Sequence, residues 1–187
     1  MISKFDELVE AFEKLPGVGK KSALKYAYFA SIENSFAGLN LAHSIEDAVK
    51  NLKRCNNCGA ISEDEICEIC VDSSRQKDTL CIIENPKDIF ILEKSGAYKG
   101  LYFVLDEIDN STVEKLIKFT DINDTKEILF ALTPSINSDG IMLYIEDKFK
   151  NSKIIFSKIA QGIPTGVSLD NIDTLSLIKA ISDKREI

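Results

Sequence analysis

The sequence contains a single histidine, and it shows no serine or cysteine signature to pair with it. A nucleophilic triad therefore has no support. No apolar run approaches the roughly 20 residues that cross a bilayer. The N-terminus lacks a basic start followed by an apolar core and a small-residue cleavage site, so no signal peptide is expected. Long linkers, internal repeats and low-complexity segments are missing as well. These absences predict a soluble, cytoplasmic chain with no membrane partner. Its 187 residues suit one medium domain or two small ones. Hydrophobic residues at 44% and charged residues at 28% leave ordinary globular packing open to it.

An overall basic excess is absent too. The net charge of −7 argues, taken alone, against a nucleic-acid partner. The charge is unevenly spread, however. Residues 1–54 carry eight Lys or Arg against seven Asp or Glu, and residues 55–187 carry fifteen against twenty-three. Contact with phosphate is expected from the N-terminal part. The acidic remainder, at −8, suits a basic protein partner or cations.

The N-terminal part reads as three helices. "SKFDELVEAFEKL" places Phe5, Leu8, Val9, Phe12 and Leu15 on one face at helical spacing, with Ser3 and Asp6 as a capping pair. "KSALKYAYFAS" reads as a second helix with Ala23, Leu24, Ala27 and Ala30 inward. "SIEDAVKNLKR" reads as a third, capped by Ser44, with Ile45, Ala48, Val49 and Leu52 on one side and His43 just before it. Further on, "TLCIIE", "GLYFVL", "EILFAL" and "KIIFSKI" are short apolar runs of strand type. Helical stretches such as "DNSTVEKLIKF" and "GIMLYIEDKFK" separate them, which predicts a mostly parallel sheet covered on both faces. The end of the chain reads as a turn, an extended piece and a short helix.

"CNNCGAISEDEICEIC" holds two CxxC pairs, Cys55 with Cys58 and Cys67 with Cys70, separated by eight residues. Each pair can wrap two thiolates around one ion, and two pairs complete a tetrahedron of the kind that suits Zn²⁺. Gly59 fits the tight turn of such a knuckle. Disulfides or a redox dithiol are the alternatives, but a cytosolic chain rarely keeps disulfides, and redox activity needs only one CxxC. Four filled positions leave no open one, so the expected ion is structural. Cys81 lies in an apolar run and reads as a core residue.

"LPGVGKKSA" resembles a P-loop only in part. That motif needs Gly-x4-Gly-Lys-Ser/Thr, and Lys14 and Lys21 occupy the places of its first glycine and its hydroxyl residue. The stretch also follows a helix rather than a strand. Helix, Leu-Pro-Gly-Val-Gly, helix is instead similar to the helix-hairpin-helix of DNA-binding proteins. Pro16 ends one helix, and Gly17 and Gly19 allow a tight hairpin leading to the positive end of the next. With Lys20, Lys21 and Lys25 alongside, this makes a site for phosphates that reads no bases. A plain helical hairpin is the competing reading. A single hairpin neutralises few phosphates, so binding that relies on it needs several copies.

Hairpin, paired CxxC motifs and "CIIENPKDIFILEKSGAYKGLYFVL", in that order, resemble the RecR family of bacterial recombination mediators nearly end to end. "CNNCGAISEDEICEICVDSSR" is similar to the family's zinc finger through Arg75, and "KIAQGIPTGVSLDNIDTLSLIKAI" to its C-terminal segment. The resemblance implies an α/β protein in four parts. These are a helix-hairpin-helix region at 1–54, a four-cysteine zinc finger at 55–75, a mostly parallel Toprim domain at 78–162, and a C-terminal extended segment with a short helix at 163–187. It implies no enzyme. It implies a homo-oligomer, a dimer or a tetrameric ring, that binds single- and double-stranded DNA without regard to sequence. Such a clamp would work with RecO, and in some cells RecF, to load RecA on single strands. The family's basic hairpin residues fall on Lys21 and Lys25.

Toprim enzymes hold Mg²⁺ with a glutamate after the first strand and an acidic pair after a later one. By resemblance Glu84 matches the glutamate and Asp88 follows it. Asp139 matches the first later acid, but Ile141 stands where the second belongs. Glu84, Asp88 and Asp139 are expected to meet a basic partner, RecO. A magnesium-dependent nuclease or primase-like enzyme is the rival reading, and a zinc-stabilised module that binds only protein is a third. The acidic loop with Asp106, Glu107 and Asp109 reads as solvated surface.

Overall fold

A computed structural model describes residues 3–160 and 162–182; Met1, Ile2, Gln161 and residues 183–187, which close the expected C-terminal segment, lie outside it. The chain divides into two compact units, Met1–Leu52 and Lys53–Ile187.

The first unit is helical. Helix α1 (Lys4–Glu13) starts on Ser3, whose hydroxyl accepts the Asp6 N–H while the Asp6 carboxylate accepts the Ser3 N–H, the reciprocal cap expected from the sequence. Helix α2 (Lys20–Tyr28) buries Ala23 and Ala27, whereas Leu24 is exposed. Phe12 meets Tyr26 edge to face at 5.9 Å, joining α1 to α2. A π-helical turn, Phe29–Glu33, leads into helix α3 (Ser35–Asn51). The start of α3 differs from the expected Ser44. Asn34 caps it by accepting the Ala37 N–H at 3.0 Å, and His43 lies inside the helix, exposed. Gly38 is accommodated mid-helix because α3 runs so close to the preceding turn that a Cβ there would collide with the Ala30 carbonyl. Ile45 and Val49, read as sharing one side, are exposed, Val49 to 78%.

The second unit opens with a two-stranded antiparallel ribbon, β1 (Lys53–Arg54) and β2 (Ile61–Ser62), and a single helical turn, α4 (Glu68–Val71). Four parallel strands follow: β3 (Gln76–Ile83), β4 (Gly100–Val104), β5 (Glu127–Ala131) and β6 (Ile155–Lys158). Their spatial order is β4-β3-β5-β6. Three lie within the apolar runs read as strands, and β3 covers most of its run but begins three residues earlier, at the exposed Gln76. The connecting helices are α5 (Lys87–Ser95), α6 (Asn110–Ile122) and α7 (Ile136–Lys148). Alternation along β4 sorts them. Tyr102 bonds Glu93 of α5, while the next residue, Phe103, packs on Phe119 of α6 at 5.9 Å. Helices thus cover both faces, as a parallel sheet requires. Leu80, Cys81, Ile82 and Ile83 of the central strand are all buried. Helix α6 is capped by Asp109, which accepts the Thr112 N–H at 2.7 Å, so this member of the acidic loop, exposed as read, is also a cap. After a turn and a short 3₁₀ segment comes α8 (Thr174–Ser182). Among the described residues no helix is long and apolar enough to cross a membrane.

One charged cluster lies within this unit. Arg75, its side chain 10% exposed, gives bidentate bonds to Glu93 at 2.9 and 2.7 Å and two more to the Gly100 carbonyl at 2.9 and 2.7 Å. Its guanidinium lies over the Tyr102 ring, 5.5 Å from the centroid. The Tyr102 hydroxyl donates to Glu93 Oε1 at 2.7 Å. A Cβ at Gly100 would collide with the Thr79 and Tyr98 side chains, so any other residue there would have to displace them. Arg75, together with the Tyr102 hydroxyl, holds the Glu93 carboxyl below the usual carboxylate range. Removing one partner strands the other charge, but Glu93 is partly exposed and screened by water, so Glu93→Gln should lower stability by about 1–2 kcal/mol at neutral pH. A carboxylate with a depressed folded-state value contributes stability above its unfolded value and loses it as pH falls through the folded one. The gap between parent and variant in urea unfolding should therefore close below about pH 4.

Candidate metal centre and nucleic-acid interface

The first CxxC follows β1 directly. Gly59, at φ +76°, turns the chain in the left-handed region that favours glycine, and its N–H donates to the Cys55 carbonyl at 2.9 Å. A Cβ on Gly59 would also stand 3.1 Å from Val104 Cβ. Cys55 N–H donates to the Ala60 carbonyl at 2.7 Å, which closes the knuckle. The second CxxC sits at the start of α4, where Cys70 N–H donates to the Cys67 carbonyl at 3.0 Å. Asn56 N–H donates to the Glu65 carbonyl at 2.8 Å and ties the two arms together.

This brings the four sulfurs to within 4.8 Å of one another, with Cys58 and Cys67 at 3.5 Å and Cys55 and Cys70 at 4.0 Å. Tetrahedral Zn–S bonds of about 2.3 Å require sulfurs about 3.8 Å apart, which this spacing matches. All four cysteines are free, and these separations far exceed the roughly 2.05 Å of a disulfide. Cys67 is held down to about 2 by its contacts with Cys58 and Cys70. Cys58 is pushed up by Cys67, and Cys70 by Cys58 and Cys67. The cluster cannot ionise fully by itself, and a divalent cation resolves the conflict. Cys55, Cys58 and Cys67 are buried in one core with the sheet. Cys81, deep in β3, is pushed up to about 12 by burial alone, which keeps it an inert thiol as its apolar setting suggested.

In the first unit, the hairpin turns at Gly17, φ +79°, with Val18 N–H donating to the Leu15 carbonyl at 3.1 Å. Gly19 is the N-cap of α2 in extended backbone and offers no side chain to cap it. The first N–H groups of α2 are thereby left for an outside acceptor. A Cβ at Gly17 or Gly19 would meet nothing within 4 Å, so the space before the helix is open. Lys20, Lys21 and Lys25 are exposed, and none makes an ion pair among the described residues. Lys21 and Lys25, one turn apart, share a face.

The acidic set lies at the ends of three different elements. Glu84 follows β3, and its carboxylate accepts the Thr133 N–H at 3.2 Å. Asp88 is in the first turn of α5 and Asp139 in the first turn of α7. Among the described residues the four cysteines are the one group of three or more Cys, His, Asp or Glu whose donor atoms converge; these carboxylates are not drawn together. Asp139 instead borders a cleft with Lys158 and Lys179, and Ile141 packs on the core. The sequence reading missed the two lysines, because β6 and α8 follow Asp139 at distances along the chain that carry no motif. It also missed that Asp106 pairs with Arg54 beside the first knuckle, at 3.3 Å.

Residues 5–49 match the family model described as "RecR, helix-hairpin-helix", and residues 52–72 match the model for the RecR zinc finger domain with four cysteine ligands. Among similar proteins is the recombination protein RecR of Campylobacter jejuni subsp. doylei, 52% identical over 186 residues, which cover 100% of this chain and 98% of the relative. The RecR of Nitratiruptor sp. is 48% identical over 186 residues, with the same coverage. That of Helicobacter pylori is 46% identical over 183 residues, covering 98% of this chain and 95% of the relative.

The four cysteines form a zinc finger with one structural Zn²⁺. Elemental analysis should find about one zinc per chain in freshly purified protein, as a single four-sulfur site requires. Cys58→Ser should drop that content and lower the thermal midpoint, because metal binding and folding share one free energy. A zinc-free parent with an unchanged fold would contradict the assignment.

Proposed function

The chain belongs to the RecR family of recombination proteins and serves recombinational DNA repair, and we propose that it does so as a non-enzymatic, oligomeric DNA clamp and adaptor. In this reading it works in the cytoplasm with RecO, and with RecF where that protein is present, to help load RecA on single-stranded DNA. The proposed organisation is a hairpin region at 1–54, a zinc finger at 55–75, a Toprim domain at 78–162 and a C-terminal segment at 163–187.

The open hairpin carries the DNA reading. Gly17 and Gly19 clear the approach, the start of α2 supplies N–H donors, and Lys20, Lys21 and Lys25 supply charge. None of these groups reads base edges, so binding extends to single- and double-stranded DNA of any sequence. One such site is weak and salt-sensitive, which favours several copies in one assembly. The first unit supports that. Leu8, Phe12, Leu15, Leu39 and Ile45 line an apolar groove of about 480 Å³, a surface suited to a second copy. A dimer or a tetrameric ring would multiply the hairpins along one DNA.

Replacing Lys21 and Lys25 together by Ala should weaken binding similarly across DNA sequences. It should also lower the slope of log affinity against log salt by about two. Unchanged affinity and slope would remove the hairpin from the DNA site.

For Glu84, Asp88 and Asp139 we propose contact with basic residues of RecO. Complementary charge of this kind sets register and encounter rate, and salt weakens it. Glu84→Ala with Asp88→Ala should cost RecO binding while DNA binding is kept, since removing negative charge cannot repel phosphate. Full RecO affinity in the double variant would exclude these carboxylates from the interface. Magnesium-dependent strand cleavage by the parent, abolished in the variant, would establish the enzyme reading instead.

A further inference from the structure

Helix α5 has an inner and an outer side that differ in charge. Inside, Glu93 is neutralised by Arg75. Outside, Lys87, Phe90, Ile91 and Lys94 follow one another at i, i+3, i+4 and i+7, which places them on one stripe of the helix. Phe90 is 61% exposed and Ile91 67%. Neither Lys87 nor Lys94 makes an ion pair among the described residues, whereas Lys4, Lys50 and Lys150 each pair with a carboxylate three or four positions away. Asp88, the other carboxylate of the helix, stands about 100° round from Lys87 and so lies at the shoulder of the stripe. The stripe is therefore positive and apolar, in a part of the chain whose net charge is −8.

We propose that this outer stripe of α5 is a docking site for an acidic peptide segment of a partner protein, one whose carboxylates alternate with apolar side chains. Charge selects the sign of that partner. A basic segment would bring its cations against two unpaired ammonium groups, whereas an acidic one is repelled by the surrounding surface and attracted here. The exposed Phe90 and Ile91 select its apolar component, because a purely polar acid would leave both in water. The helix is also fixed from behind by the Arg75–Glu93 bonds, so the stripe is preformed and little ordering entropy is lost on docking. The site borders the acidic set at Asp88, has the opposite charge to it, and does not depend on that set's role.

The experiment uses the full, zinc-loaded chain and a short fluorescent peptide in which Asp alternates with Leu and Phe. One control peptide has Ala for Leu and Phe, and another has Lys for Asp. Anisotropy should show binding to the first peptide in preference to both controls. Phe90→Ser with Ile91→Ser, and separately Lys87→Glu with Lys94→Glu, should each weaken it about tenfold or more, as loss of a central anchor does. Zinc content and DNA affinity should stay at parental values in both variants. Equal binding of the Ala control, or no binding of the first peptide, overturns the proposal. A parent whose mass in solution falls in the Phe90 and Ile91 variant overturns it in favour of a second copy as occupant. Loss of DNA affinity in the lysine variant overturns it in favour of phosphate.

Discussion

Four sulfurs crowded within 4.8 Å repel one another as they ionise, and the second unit is built around their neutralisation. Metal binding and folding share one free energy there, and the finger adds Ala60, Ile66 and Ile69 to the packing of the sheet. Three of the four cysteines share the sheet's hydrophobic cluster. The finger is also bonded to the sheet, since Val104 N–H donates to the Cys58 carbonyl at 2.8 Å. A change at the ion therefore reaches β4 through this hydrogen bond.

The same bonds answer the problem of an open sheet edge. Strand β4 lies at one side of the sheet, and an unpaired edge invites pairing with another chain. Its last N–H is taken by Cys58, and its first carbonyl by Arg75. Arg75 follows the finger and reaches both α5 and β4, so the residue that ends the metal-binding segment also fixes the helix over the sheet. A buried ion pair is weak support for stability in general, because desolvation offsets attraction. Here four hydrogen bonds and an aromatic face leave little of the guanidinium's polarity unmet.

Charge is divided between the units in a way that suits the proposed adaptor. The first unit, with six Lys or Arg against seven Asp or Glu, is nearly neutral and gathers lysines at an open helix start, while the second, with seventeen against twenty-three, is acidic. DNA is attracted to one and repelled by the other, which would keep the Toprim surface available to proteins. Within the acidic unit, Asp139 lines a cleft together with Lys158 and Lys179.

What the sequence determined by itself is what lies within a few residues along the chain. The two CxxC spacings, the Pro16–Gly17 turn, the Ser3–Asp6 cap and the four apolar runs of the sheet each need only near neighbours, so each was legible. The start of α3 was not, because Asn34 offers a cap ten residues before Ser44 and takes the Ala37 N–H. Tertiary structure alone decided the rest. Arg75 finds Glu93 eighteen positions away, Asp106, just past β4, finds Arg54 of the ribbon, and Glu84 bonds Thr133. These pairings depend on the strand order β4-β3-β5-β6, which is not the order of the chain. Short-range geometry comes with the backbone, whereas which distant charges meet is fixed only when the sheet closes.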